Sequence, residues 1–137
     1  MRKLDQRGVA ALEFCLVALP LFILIFAIFD LGRYAITMQS LRMLANAGAR
    51  ATMISDCYHN NAIKKITPTC SGDPLPSDDA KKAVAPFLYA GGLTPTLNTA
   101  VGAAALTVTA SEPGFTMLMP IWGAALNAPS ASTSVPF

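Results

Sequence analysis

Apolar residues fill positions 9–29, and Glu13 is the single charge among them. A helix over this stretch of about 21 residues would be roughly 32 Å long, enough to cross a hydrocarbon core of about 30 Å. The pattern then changes. Over residues 30–55 the stripe runs through Leu31, Tyr34 or Ala35, Met38, Leu41, Ala45, Gly48 and Thr52, the three- and four-residue steps of an amphipathic helix. No proline or turn cluster separates the two patterns, so they predict one helix of about 45 residues, half in lipid and half projecting. Pro20 lies inside the apolar half and predicts a local kink or loosened turn, which a membrane helix tolerates when neighbours take up the freed carbonyl. In the projecting half Arg42, Asn46 and Arg50 fall on one face and read as its solvated side. The small residues at 45–51 permit another helix to approach closely.

The pattern beyond residue 55 predicts a small α+β region. Residues 56–76 read as a loop. Ser77-Asp78-Asp79 opens a short helix, with a capping serine and acids in the first turn where the helix dipole favours them. Pro86 perturbs that helix and Gly91-Gly92 ends it. Residues 105–111 alternate as a strand does. Residues 115–126 are apolar and uncharged but too short and too interrupted to span a bilayer. They read as a second strand and core of the outer domain, with Phe115 and Trp122 also suited to a membrane interface or a partner surface. Residues 127–137, rich in Ala, Ser and Pro, read as a loose tail or an edge segment. The expected organisation is a basic leader at 1–8, a membrane helix at 9–29, its continuation at 30–55, a small α+β domain at 56–126 and the tail at 127–137.

Charge sets the direction of the anchor. Arg2, Lys3 and Arg7 precede the apolar run against the single Asp5. A compact basic tail beside a membrane helix is retained in the cytoplasm, which places everything after the helix outside. A removable signal peptide fits less well, because its apolar core is normally about 7–15 residues and ends in a small-x-small site, whereas this run is longer and ends Ala27-Ile28-Phe29-Asp30. Only 13% of the 137 residues are charged and the net charge is +2, which leaves no basic stripe for nucleic acid. Of the cysteines, Cys15 lies in the apolar run, while Cys57 and Cys70 lie in the outer region, where an oxidising compartment lets them pair. Such a bridge would close a loop of about 14 residues, worth roughly 3 kcal/mol. Two cysteines and the lone His59 make an incomplete zinc set. Cys57 and His59 are two residues apart, a poor geometry for a nucleophile and its base. No phosphate loop or metal motif appears, so no enzyme, cofactor or small-molecule substrate is expected.

Glu13 is the anomaly. A carboxylate in the apolar half of a membrane helix is costly, about 2.5–3.5 kcal/mol near the centre and less near the interface. The positions one turn on are Leu16 and Val17, which cannot neutralise it. Either it lies close enough to the headgroups to reach water or it needs a cation from elsewhere. The string Arg7-Gly8-Val9-Ala10-Ala11-Leu12-Glu13-Phe14 resembles the processing site of type IV prepilins: a basic leader ending in glycine, then an apolar helix with glutamate at its fifth position. Together with the Leu/Ile/Phe-rich run, Asp30-Leu31-Gly32-Arg33 and Ala47-Gly48-Ala49-Arg50-Ala51, it is similar to the TadE-like family, minor pseudopilins of bacterial tight-adherence (Flp) pili. The resemblance covers residues 7–53. The sixth position after the glycine is Phe14, where major Flp pilins carry tyrosine, and those pilins are shorter and lack an outer domain. Both departures favour a minor subunit.

The resemblance implies a cut after Gly8 by a separate prepilin peptidase. The cut would leave Val9 with a free ammonium and Glu13 poised to pair with that group on a neighbouring subunit. It also implies a place in the inner membrane, with the outer region in the periplasm, entry into an extracellular pilus, and other pilins and pilus assembly proteins as partners. Two alternatives stay open: an unprocessed single-pass component of a pilus or secretion platform, and a secreted small domain freed from a signal peptide.

Overall fold

The structure, a computed structural model, describes residues 6–137; residues 1–5 of the expected leader lie outside the described residues. Its axis is the 49-residue helix α1, Gln6–Ile54, which runs unbroken through Pro20. Seven further elements follow: α2 (Asp56–Ile63), α3 (Asp78–Val84), α4 (Pro86–Ala90), β1 (Thr96–Val101), β2 (Ala105–Ser111), a single 3-10 turn (Pro120–Trp122) and β3 (Ser130–Pro136). The arrangement is α+β: a long N-terminal helix carrying a small antiparallel sheet and short helices.

The two sequence patterns along α1 have two fates. Over residues 9–29 no residue is buried, and large side chains such as Leu12, Phe14 and Phe29 are about two-thirds exposed or more. This is the apolar window long enough to cross a membrane, and none of it is buried inside the chain. The first fully buried residue along α1 is Asp30. Beyond it Thr37, Ser40, Leu41, Leu44, Ala45, Ala49 and Thr52 are buried at three- and four-residue spacing, and this stripe lies across β2 and β3. Arg42, Asn46 and Arg50, outside this stripe, are exposed.

The sheet has the order β1-β2-β3, antiparallel throughout, with Leu97 opposite Ala110 and Leu106 opposite Val135. In β2 the inward set Leu106, Val108 and Ala110 is fully buried and alternates with half-exposed Thr107 and Thr109. Residues 127–137, expected as a loose tail or an edge segment, contain the edge strand β3. Its composition lacks large side chains, but Ala131, Thr133 and Val135 alternate toward the helix, and every residue from Ser130 to Pro136 has a partner in β2. The hydroxyl of Thr133 donates to Asn46 Oδ1 (2.7 Å), tying strand to helix.

Two other expectations are corrected. The segment read as a loop from residue 56 begins with α2. Ser55 leaves α1 in extended backbone and Asp56 occupies the first turn of the new helix, where its charge is favoured by the dipole. The weak helix formers that follow are held by tertiary ties: Cys57 is bridged to Cys70 with Cα atoms 5.4 Å apart, and the Tyr58 hydroxyl donates to the Pro136 carbonyl (2.8 Å). Residues 115–126 are not a second strand. Pro120 cannot donate to a ladder, and Gly123 takes φ 58 and ψ −148, close to a region that only glycine enters readily. Of this segment only Phe115 is in the core, 2% exposed.

The helix expected from Ser77 is present but divided. Pro86 restricts the backbone of Ala85, which sits at φ −130 and ψ 63, and itself occupies the first turn of α4, where its missing N–H costs nothing. Ser77 stands at the N-cap position without a side-chain capping bond; its carbonyl accepts from Lys81 N. The Lys81 ammonium pairs with the Asp73 carboxylate, fastening α3 to the preceding loop.

Within the small-residue stretch of α1, Gly48 faces the sheet. A Cβ placed on Gly48 would stand 2.9 Å from Leu97 Cδ2, 3.0 Å from Val108 Cγ1 and 3.2 Å from Pro74 Cγ. Side chains of β1 and β2 therefore come close to the helix at Gly48. Gly48→Leu is expected to destabilise the domain by about 1–3 kcal/mol through overpacking, measured by denaturant unfolding in detergent and followed by the circular dichroism of the sheet. An unchanged or higher midpoint would contradict this packing.

Candidate functional site

The helix carries two acids in opposite circumstances. Glu13 stands on the uncovered part of α1 and is exposed, and among the described residues it makes no ion pair. Gly8 and Val9, one turn before it, are also exposed. Nothing lies within 4 Å of where a Cβ on Gly8 would be. Among the described residues Gly8 therefore makes no packing contact that its lack of a side chain would serve. The fold brings Gly8, Val9 and Glu13 onto one stretch of bare helix and brings none of them to another polar group of the outer domain.

Asp30 is the reverse case: fully buried and fully engaged. Its Oδ1 accepts from the backbone N–H of Leu118 (3.1 Å) and its Oδ2 from that of Met119 (3.0 Å). Arg33, one turn on, places Nη1 3.5 Å from Oδ1. The indole N–H of Trp122 is turned toward the same carboxylate without reaching hydrogen-bonding geometry and is buried without a partner. Burial pushes the carboxyl pKa up, but the Met119 and Leu118 amides, the Arg33 charge and the indole together hold it below its ordinary value. Asp30 is thus an ionised clamp on the apolar loop 115–126.

The clamp is built from both ends. Arg33 lies over the Phe115 ring, 5.3 Å from its centroid, and Tyr34 meets the same ring at 6.2 Å. Asn127 Oδ1 accepts from Met117 N (2.9 Å), and the Phe115 carbonyl accepts from Ala128 N (3.0 Å), closing the loop at its base. Glu112, also fully buried, accepts from Gly114 N (3.1 Å) at the loop's entrance. In the sequence, the i, i+3 spacing of Asp30 and Arg33 allows that pair but does not reveal the loop. The signal it misses is the coincidence of an acid at the end of an apolar run with a distant uncharged segment whose backbone donors need an acceptor.

Among the described residues no group of three or more His, Cys, Asp or Glu is placed to hold a metal ion. His59 is exposed on α2 and Cys57 is bonded to Cys70. Cys15 is a free, exposed thiol on the bare helix.

Replacing Asp30 by Ala is expected to abolish hydrogen-exchange protection at the Leu118 and Met119 amides while leaving the β2 amides protected. Retained protection at 118 and 119 would show that the carboxylate does not hold the loop. Because the folded carboxyl ionises at lower pH than a free one, the clamp's contribution is complete above the ordinary carboxylate range. It is lost as pH falls through the lowered value.

Residues 8–50 match the family model described as TadE-like protein. Comparison with curated proteins and with solved structures returns no match. The matched segment starts at Gly8, contains Glu13 and Asp30, and ends within the stripe that packs on the sheet. Over this segment the chain is similar to the TadE-like family, and the helix that carries it is long and apolar enough to cross a membrane.

Proposed function

We propose that this chain is a minor pseudopilin, a structural and assembly subunit of a tight-adherence (Flp) pilus, cut after Gly8 by a prepilin peptidase. The observation that carries the reading is Glu13, exposed on an apolar stretch of helix of which no part is buried among the described residues. An unpaired carboxylate in that setting is unfavourable. A cut after Gly8 creates a cation four residues before it, the Val9 ammonium, with an ordinary pKa near 8. In a helix bundle of subunits the ammonium of one chain and Glu13 of the next relieve each other, and the pair fixes the register of otherwise featureless apolar helices. Gly8 fits the same account, because its lack of a side chain serves no contact within the fold and leaves the backbone open to a protease. The N-terminal leader lies in the cytoplasm and the sheet domain in the periplasm, the orientation that the basic residues before the helix favour. The chain is a substrate of the peptidase and a partner of other pilins.

The test is the N-terminus of the mature chain, determined by mass spectrometry on bacterial membranes. Val9 is the expected first residue. A chain beginning at Met1 would favour an unprocessed membrane component, and one beginning near Asp30 a secreted domain. In the same strain Glu13→Gln is expected to leave membrane insertion intact and to impair pilus assembly. Normal piliation would rule out the ion-pair mechanism.

A further inference from the structure

The loop 115–126 exposes apolar side chains that the fold does not use. Leu118 is 73% exposed and Ile121 59%, and Met117, Met119 and Trp122 are half-buried beside them. The loop is nonetheless tightly held: Asp30 fixes the Leu118 and Met119 amides, Asn127 fixes Met117, and Trp122 N donates to the Met119 carbonyl. An exposed apolar patch on an ordered, deliberately fastened loop marks a surface that meets something apolar.

The position of the fastening identifies what that is. The bare apolar surface of α1 ends at Phe29, and the carboxylate that grips the loop belongs to the next residue. The loop therefore lies against the helix at the level where the apolar surface stops, within hydrogen-bonding distance of Asp30. Counted from Val9, this level is about 32 Å along the helix, the far boundary of a hydrocarbon core of about 30 Å. Leu118 and Ile121 thus continue the helix's apolar surface sideways at its upper rim. Beside them is a tryptophan, the residue type favoured at membrane–water boundaries, and Arg33 stands one turn farther from the apolar run, 46% exposed and at headgroup level.

We infer that loop 115–126 is a second membrane contact, lying in the interfacial layer of the bilayer that α1 spans, with Leu118, Ile121 and Trp122 inserted among the lipids. The contact rests on the reading of residues 9–29 as a bilayer-spanning helix. It gives the sheet domain a fixed seat on the membrane surface instead of leaving it to swing about the helix. The partner is a lipid surface, reached to the shallow depth of about 5–10 Å typical of interfacial segments.

Trp122 is the sole tryptophan of the chain and reports directly. The full chain is reconstituted in phosphatidylcholine–phosphatidylglycerol vesicles containing lipids brominated either high on the acyl chain or near its methyl end. The expected result is a blue-shifted Trp122 emission that loses most of its intensity to the high bromines, loses little to the deep ones, and resists aqueous iodide. A Leu24→Trp probe in a Trp122→Phe background reads the helix itself and is expected to be quenched by the deep bromines. If the Leu24 probe is quenched as expected while Trp122 is quenched by iodide and not by brominated lipid, the loop stands in water and the inference fails. It fails equally if Trp122 is shielded from both quenchers, because the patch is then covered by protein, such as a second copy of the chain. If the Leu24 probe is not quenched by brominated lipid, the membrane-spanning reading falls and this inference with it.

Discussion

The fold is arranged around a change of surroundings along one helix, α1, whose large apolar side chains stand uncovered over residues 9–29 and give way at Asp30 to a stripe packed against a sheet. A continuous helix is the economical way to join the two regions, since apart from its ends and the carbonyl freed by Pro20 its backbone groups are satisfied internally in either medium. The cost is that each half must solve its own problem. The upper half is amphipathic and buries its stripe on β2 and β3. The lower half has no such partner among the described residues, and lipid or other helices could remove its apolar surface from water.

Asp30 marks the junction and makes it specific. A buried carboxylate is unfavourable unless its oxygens are satisfied. Here both oxygens take backbone N–H groups from a segment almost ninety positions away in the chain, and Arg33 supplies opposite charge. The same charge therefore closes the domain and fixes where its apolar loop lies relative to the helix. Glu13 has the complementary character. It is equally anomalous by sequence, but it makes no ion pair among the described residues. One acid organises the fold, and the other is the one for which an assembly role is proposed.

Much of this was legible in the order of residues. The apolar run, the amphipathic continuation, the helix opening at Ser77 and the strand at 105–111 each carry a strong local period, and the structure has an element at each place. The strands flanking β2 do not. β3 reads Ser-Ala-Ser-Thr-Ser-Val-Pro, a composition that resembles a disordered tail because its stability comes from pairing with β2 and from small side chains fitting under α1. β1 offers only Leu97 and Thr99 to the interior. α2 is hidden for a related reason: its helix is fastened by a disulfide and a tyrosine hydrogen bond rather than by propensity. The Asp30 clamp is least legible of all, since no local pattern announces that a carboxylate will meet two amides across the whole length of the chain.

The central claim, that α1 passes from lipid to the outer domain at Asp30, is tested most directly by the accessibility of single cysteines along the helix in native membranes. In a Cys15→Ala background, with Cys57 and Cys70 held in their bridge, a cysteine at Ile23 or Phe26 should resist a membrane-impermeant maleimide and one at Gln39 or Met43 should react with it. Labelling at Ile23 or Phe26, or protection at both Gln39 and Met43, would contradict the account.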